Sequence, residues 1–310
     1  MPAVEILLAT FEGARFLPAQ LDSLWAQSDP DFQVLARDDG SCDETPAILR
    51  RHAEAHPGRL RLLEDGGGAG DPTRNFARLL EASRAPFVAL CDQDDVWLPD
   101  HLALARARMA ALEARHGAAT PLLVHGDLEV VDAELRPLGP SFWRYQKLDP
   151  RAARRLNRAL VQNVVTGCTC LLNRALVEKA LPVPDDAVLH DWWLALVACA
   201  FGAVGEVPQP VVRYRQHGAN AAGARRWQVG RALLRAFRTG ELRVTLALTQ
   251  RQAAVFLDRY GSELSPRQRA TAAAYAGLSR RGFWGRRWTL LRHGLFKVGA
   301  LRNLGLLARA

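Results

Sequence analysis

With 310 residues, 49% hydrophobic and 24% charged, the chain has the composition of a folded globular protein, which excludes wholesale disorder. The length admits one large α/β domain, or one such domain with a smaller appendage. The formal charge of +9 conceals an asymmetry: residues 1–224 carry 23 Lys and Arg against 29 Asp and Glu, whereas residues 225–310 carry 18 against 3.

A near-neutral body with a strongly basic end calls for an anionic partner at that end, either membrane lipid or nucleic acid. The five cysteines (Cys42, Cys91, Cys168, Cys170 and Cys199) are odd in number, scattered and without a CxxC pair, which indicates a reducing compartment and small buried thiols. The N-terminus runs almost at once into an apolar strand and lacks the regions of a signal peptide. The uncharged apolar stretch at residues 192–205 is shorter than the roughly 20 residues a membrane span needs. A cytoplasmic protein is expected, either free or peripheral on the inner face of the cell membrane.

Residues 4–10 (VEILLAT) form a short apolar run suited to a buried parallel strand. Phe16, Leu17, Leu21, Leu24 and Trp25 then recur at helical spacing. Residues 32–36 predict a second strand closing on Asp38-Asp39-Gly40-Ser41, residues 43–55 a helix and residues 59–63 a third strand. The glycine-rich loop 66–70 leads into a helix over 73–83, and residues 87–91 predict a strand ending in Asp92-Gln93-Asp94-Asp95. This rhythm means an α/β fold, with a mostly parallel sheet covered by helices on both faces. The next stretch is mixed, with strands predicted at 122–125, 128–131 and 164–172, a short helix at 176–180, a buried helix at 192–201 and a late strand at 211–214. From residue 225 the pattern is helix after helix, with breaks near Gly240, 261–266 and Gly282.

Ligands of open α/β sheets bind beyond the carboxyl ends of the strands. Three polar clusters fall there: Thr10-Phe11-Glu12, Asp38-Asp39 and Asp92 to Asp95. Three carboxylates in four residues repel one another unless a cation sits among them, and oxygen-only ligation suits Mg²⁺ or Mn²⁺. The alternative is a solvated acidic loop that also caps the helix after Pro99. Asp38-Asp39-Gly40-Ser41 reads either as a nucleotide contact or as a turn with a helix cap. In His190-Asp191-Trp192-Trp193, burial would disfavour ionisation of the carboxylate, as a general base requires, and the indoles offer flat faces on which sugar rings stack. The alternative is an N-cap Asp with two core aromatics. His217, at the end of the late strand, is either a metal or phosphate ligand or a structural histidine.

The order of A-T-F-E-G (9–13), D-D-G-S-C-D-E-T (38–45), T-R-N-F (73–76), D-Q-D-D-V-W-L-P (92–99), N-V-V-T-G-C (163–168), H-D-W-W (190–193) and Y-R-Q-H-G-A-N (214–220) resembles family 2 glycosyltransferases. Within that family it is most similar to the rhamnosyltransferase-like branch of bacterial surface polysaccharide synthesis, over roughly residues 3–224. The resemblance implies a GT-A fold over residues 1–224, followed by a basic helical region over 225–310, and an inverting, metal-dependent transfer. Thr10 and Phe11 would line the nucleotide pocket; this branch often has Tyr at Phe11, and the change keeps the stacking surface. Asp39 would contact the base with Asp38 beside it, and Arg74 and Asn75 would approach the nucleotide. Asp92, with Gln93, would lie near the ribose and Asp94 near the metal, with Asp95 a substitute ligand and His217 a late metal or phosphate contact. Asp191 matches the catalytic base, and His190, Trp192 and Trp193 would border the acceptor. The implied cofactor is Mn²⁺ or Mg²⁺. The implied donor is a dTDP- or UDP-linked sugar, with L-rhamnose the first candidate, and the acceptor a saccharide or lipid-linked saccharide.

In the tail, Arg225-Arg226-Trp227, residues 280–284, residues 286–288 and residues 293–302 interleave cations with aromatics and leucines, and Trp284, Trp288, Leu291, Leu295 and Val298 follow helical spacing. An in-plane helix on an anionic membrane surface is the preferred reading; the alternative is helices packed on the catalytic domain with solvated arginines. A sugar nucleotidyltransferase would share the sheet and the acidic site, but would be expected to carry a glycine-rich phosphate loop after the first strand, where only Gly13 and Arg15 stand. A nucleic-acid-binding protein acting through the tail would leave the Asp clusters unexplained.

Overall fold

The structure, a computed structural model, describes residues 2–68, 70–217 and 239–309. Arg225, Arg226 and Trp227, the Gly218-Ala219-Asn220 end of the seventh motif and the expected boundary at 224/225 lie outside the described residues.

The chain opens with β1 (Val4–Thr10), α1 (Leu17–Trp25), β2 (Phe32–Asp38), α2 (Thr45–Ala55), β3 (Leu60–Leu62), α3 (Pro72–Ala82) and β4 (Phe87–Asp92). These four strands are mutually parallel in the order β3-β2-β1-β4. Register decides where their chemistry goes. Thr10 lies opposite Asp38 and Ala9 opposite Asp92, so the three polar clusters emerge side by side at one edge of the sheet. Successive β1 side chains point to opposite faces. Ile6 and Leu8 join a core with α1 and α2, and Leu7 joins a second core with α3.

Beyond β4 come β5 (Val96–Trp97), α4 (His101–His116), β6 (Leu122–Asp132), β7 (Pro137–Gly139), α5 (Phe142–Gln146), α6 (Leu156–Ala159), β8 (Leu171–Asn173), α7 (Arg174–Ala180), α8 (His190–Phe201) and β9 (Ala203–Gln216). Strand β8 runs antiparallel between β4 and β6. Strand β9 runs parallel to β6, β5 forms the far edge antiparallel to β9, and β7 pairs with β6. The β5–β9 pairing, Val96 with Arg213 and Trp97 with Val212, brings the acidic turn after β4 against the end of β9.

The tail is helical: α9 (Thr239–Tyr260), α10 (Pro266–Ala276), α11 (Phe283–His293) and α12 (Ala300–Arg309). Phe256, Tyr260, Tyr275, Leu290 and Leu306 join the same core as Trp193, Phe76 and Leu7, so these helices extend the core behind the catalytic face. Helix α10 starts on a capping box between Ser265 and Gln268, with Pro266 in its first turn, where no amide donor is missed.

Several expectations need correction. The strand predicted at 164–172 is a loop with a 3₁₀ turn at Gly167–Thr169, and only Leu171–Asn173 pair as a strand. This apolar run is buried on all sides, so its hydrophobicity carries no period. The strands predicted at 122–125 and 128–131 are one strand, β6, whose register against β9 shifts around Gly126 and Asp127. The same irregularity accommodates Pro208 and Pro210, so β9 starts eight residues before the predicted strand; proline is tolerated in a sheet at a bulge. Gly240 lies within α9 and marks no break there. The stripe expected from Trp284 to Val298 is cut at Gly294, which ends α11 at φ 61°, and Leu295 turns fully inward.

Candidate active site

At the carboxyl end of β1, Thr10 is buried and its hydroxyl donates to Asp38 Oδ1 at 2.9 Å. Asp38 accepts in addition from the Ser41 hydroxyl at 2.7 Å and from the backbone amides of Ser41 and Gly40 at 2.8 and 3.2 Å. Both side chains, expected at the nucleotide, are therefore engaged within this turn. Phe11 is 55% exposed, and its ring is left as an open stacking surface. Gln93 was also expected at the nucleotide. Instead it clamps the Phe11 backbone, accepting from its N–H at 2.8 Å and donating to its carbonyl at 2.7 Å. The clamp requires Gly13, where a Cβ would come within 2.1 Å of Gln93 Oε1.

Asp39 is held from below. Arg37, 2% exposed, donates through Nη1 to Asp39 Oδ1 at 2.9 Å and to Asn75 Oδ1 at 3.1 Å, through Nε to both Asp65 oxygens, and through Nη2 to the Gly67 carbonyl. Gly70 N–H donates to Asp39 Oδ2 at 3.0 Å, so the glycine-rich loop lies against this carboxylate. Burial works against the Arg37 charge, but the hydrogen bonds it donates to Asp65 and Asp39, with their negative charges, outweigh it and raise the guanidinium pKa. Asn75 spends its amide on the Thr10 and Arg37 carbonyls, and Arg74 reaches out to Asp185 at 3.1 Å. Asn75 thus ties α3 to β1 and β2, while Arg74 lines an open cleft together with Arg37, Asp65, Gly67 and Gly68.

The acidic turn divides its labour. Asp92 has its pKa pushed up to about 7 by burial and by the neighbouring charges of Asp94 and Asp191. Asp94 Oδ2 lies 2.8 Å from His217 Nε2, and the His217 ring packs on Phe16 at 4.6 Å between centroids. Asp95 is fully buried, accepts from the Arg215 N–H at 3.0 Å and faces the Cys168 thiol. Burial, with Asp94 and Asp92 adding to it, pushes its pKa well up. Arg215, 4% exposed, also donates to the Asp94 carbonyl at 2.7 Å, so β9 supports the turn from beneath.

The donor set fits a hard divalent ion. Asp94 and His217 pair an oxygen with an imidazole, and Asp92 is raised by burial first and then by the charges of Asp94 and Asp191, which a cation would offset. Asp92, Asp95 and Cys168 also bring ligand-type atoms within 4.8 Å of one another. The Cys168 thiol, however, is pushed well up by burial and keeps its proton, and Asp95 is engaged by Arg215. That engagement is through Asp95 Oδ1 only; Oδ2 is buried without a hydrogen-bond partner beside Asp92, which fits the substitute ligand expected of Asp95 as well as a support of the turn.

Opposite this turn stands Asp191, in the first turn of α8 and 7% exposed. Its Oδ2 accepts from Gly167 N–H at 3.0 Å and its Oδ1 from Asn163 Nδ2 at 3.1 Å. Burial pushes its pKa up to about 7, with the Trp192, Gly167 and Asn163 hydrogen bonds holding it from going higher. A Cβ at Gly167 would sit 3.2 Å from His190 Nε2, a tight contact, and 3.5 Å from Asp191 Oδ2, an ordinary one. His190 stacks on Phe76 at 4.0 Å; burial lowers its pKa to about 3, so the imidazole is neutral.

The two tryptophans do not border an acceptor. Trp193 is fully buried against Phe256 and Tyr260, with its indole N–H on the Ala180 carbonyl at 3.0 Å. Trp192 is 7% exposed and donates to the Ala159 carbonyl at 2.6 Å. Both indoles anchor α8 in the core, leaving no face for a sugar ring. Sequence reasoning assigned no role to Arg37, Asn163, Gly167 or Arg215. The last three lie inside the quoted motifs, and Arg37 lies between the strand predicted at 32–36 and the Asp38-Asp39 cluster.

A sheet whose strand ends gather these carboxylates is the architecture of a GT-A sugar transferase. The model of the "Glycosyl transferase family 2" family matches residues 5–181, more than half of the chain, and the chain belongs to that family. It is 24% identical over 228 residues to the dTDP-rhamnosyl transferase RfbG of Shigella flexneri, covering 70% of this chain and 74% of that relative. Among solved structures it is similar to the mannosyltransferase PcManGT of Pyrobaculum calidifontis in complex with GDP-Man and Mn²⁺, with a TM-score of 0.56, 21% identity and coverage of 99% of this chain and 79% of that one. The S. aureus TarS fragment 1–349 in complex with UDP-GlcNAc gives a TM-score of 0.55 at 14% identity, with coverage of 98% and 90%. At these identities the structural likeness speaks for the fold. The family assignment displaces the nucleotidyltransferase and nucleic-acid readings of the sequence.

Proposed function

We propose that this glycosyltransferase moves a sugar, with L-rhamnose the first candidate, from a dTDP- or UDP-linked donor to a saccharide or lipid-linked saccharide in bacterial surface polysaccharide synthesis, inverting the anomeric centre. The observation that carries the chemistry is the buried carboxylate of Asp191, with its pKa near 7, facing the crowded carboxylates of Asp92 and Asp94. An acid of that strength is ionised often enough at neutral pH to take a proton and basic enough to hold it. Asp191 removes the proton of the acceptor hydroxyl as that oxygen attacks the anomeric carbon, and Asn163 and Gly167 hold the carboxylate in aim. Phe11 offers its ring to the base, and Asp39, fixed by Arg37 and Gly70, accepts a hydrogen bond from base or ribose.

Asp92, Asp94 and His217 would hold Mn²⁺ or Mg²⁺, which when bound offsets the charge of the departing nucleoside diphosphate. His190 is neutral, stacked on Phe76 and buried at both ring nitrogens, so it supports the start of α8 rather than meeting the acceptor as expected. The likeness to a dTDP-rhamnosyl transferase supports the donor, and the Mn²⁺ complex of PcManGT supports the ion. A thermal-shift screen of dTDP, UDP and GDP, each with and without Mn²⁺, tests this reading. One nucleotide should raise Tm in an ion-dependent way by mass action, and a flat response to all three overturns it.

A further inference from the structure

The exposed apolar surface of the described residues is concentrated in one place. Among the described residues ten large hydrophobic side chains are exposed, and six of them stand on α11 and α12: Phe283, Trp284, Trp288, Leu291, Leu301 and Leu304. Trp284 is 79% exposed and Trp288 63%. The opposite side of α11 is used for packing: Thr289 and Leu290 are buried, Leu290 in the core shared with the catalytic domain. The exposed side of this helix is therefore held rigidly outward.

At about 100° per residue, Trp284, Trp288 and Leu291 fall within one sector of about 60° on α11, with Arg287 and Arg292 on its two flanks. Arg287 lies with its guanidinium 3.4 Å from the Phe283 ring centroid and donates to the Ala308 carbonyl, which ties α11 to α12. Arg280 and Arg281 are exposed just before the helix. Residues 264–310 contain ten Lys and Arg and no Asp or Glu. An apolar centre of indoles and leucine, rimmed by arginines, matches the two layers of a lipid surface: acyl chains and glycerol for the rings, anionic headgroups for the guanidinium groups. A protein partner of matching shape would need an acidic rim around an apolar centre; a bilayer supplies both without specific shape.

We propose that the outward face of α11 is a docking surface for an anionic lipid bilayer, with Trp284, Trp288 and Leu291 inserted at the interface and Arg287 and Arg292 at the headgroups. The helix lies in the membrane plane and does not cross it; no helix among the described residues is long and apolar enough to span a membrane. The proposal stands apart from the sugar-transfer reading, because none of these side chains belongs to the active site.

The test is flotation of the full chain with vesicles of phosphatidylcholine doped with phosphatidylglycerol, and with vesicles of phosphatidylcholine alone. The expected result is binding to the anionic vesicles at least about tenfold tighter than to the neutral ones, weakened by salt. The triple change Trp284→Ser, Trp288→Ser, Leu291→Ser should weaken it at least about tenfold, and Arg287→Gln with Arg292→Gln should reduce the salt dependence. All five side chains lie on the outer half of the helix, so an unchanged circular dichroism spectrum and Tm certify folding. Three results overturn the proposal: no flotation of the wild type, equal binding to both vesicles, or full binding by the folded triple variant. So does a concentration-dependent dimer, or tight binding to an oligonucleotide, that the triple change abolishes while vesicles bind neither protein.

Discussion

Asp94 Oδ2 and His217 Nε2 stand 2.8 Å apart although 123 positions separate the residues. Their meeting depends on two short pieces of chain, the β5–β9 pairing and the Arg215 contacts to Asp95 and to the Asp94 carbonyl. An imidazole carrying its proton on Nε2 donates to this carboxylate, and the same two atoms, in a cleft of carboxylates, are ligand types that a shared cation would take.

From this pair follows the first prediction. Asp94→Ala and His217→Ala should each weaken Mn²⁺-dependent nucleotide binding at least tenfold, about 1.4 kcal/mol, with little change in ion-independent binding. Isothermal titration with and without EDTA measures both. Equal ion dependence in Asp94→Ala and the wild type would move the site to Asp92 and Asp95.

Asp191→Asn keeps the size and the contact to Gly167 N–H but removes the base. Transfer should fall about 10²–10⁴-fold, with nucleotide affinity unchanged within about twofold. In the wild type, kcat/KM should rise about tenfold per pH unit below pH 7 and level off above it, because the acting form is the carboxylate and its pKa lies near 7. A flat profile between pH 5 and 8 in a system free of product-release limits would remove Asp191 from the proton transfer.

Much of the site was legible because its residues follow apolar strands in a fixed order. A carboxylate after a buried run has few ways to be accommodated, and the strand ends at Thr10, Asp38 and Asp92 were all placed correctly to within two residues. Trp192, Trp193 and Gln93 show where that reasoning stopped. A tryptophan beside a catalytic residue looks the same in sequence whether its ring faces the cleft or the core, and α8 is buried on nearly every side, so no polar face gives its orientation away. Gln93 sits between two aspartates that face the cleft, yet its amide turns back to pair with the Phe11 backbone, a contact across 82 positions that no local pattern encodes. The Arg37 network was hidden for the same reason, since Asp39, Asp65, Asn75 and Gly67 converge on it only through the fold.

Arg37→Met should be among the most damaging single changes. It would leave Asp39, itself 8% exposed, without its buried partner, and breaking such a pair costs about 3–5 kcal/mol. Urea unfolding should show this loss, while Arg37→Lys, which keeps the charge but cannot span four acceptors, should fall between the two. A loss below about 1 kcal/mol for Arg37→Met would mean that the network stabilises little.

Gly167→Ala separates catalysis from stability. The added methyl would crowd His190 Nε2 and meet the Asp191 carboxylate at van der Waals distance, and relief of the His190 contact would shift the Gly167 N–H by a few tenths of an ångström. An overpacked buried site of this kind costs about 1–3 kcal/mol, whereas misaiming the base should lower kcat about 10²-fold. Retained kcat with lowered Tm would show that the close approach serves packing alone.

Stability should depend on pH in an unusual direction. Asp92 and Asp191 have folded-state pKa values near 7, and Asp95 is shifted the same way, all above the ordinary carboxylate value near 3.8. The folded chain therefore binds more protons than the unfolded chain between those limits, and the unfolding free energy must fall as pH rises through that window. The contribution is complete below about pH 4 and lost above about pH 7, superimposed on the acid destabilisation from ordinary ion pairs such as Arg37 with Asp65. In EDTA, Tm should thus decline by several degrees between pH 5.5 and 7.5. Mn²⁺ should restore it chiefly at the upper end, where the carboxylates are ionised and ready to bind. A chelated protein whose Tm climbs steadily over that range would show that these three carboxyls are not held in a common, proton-hungry cluster.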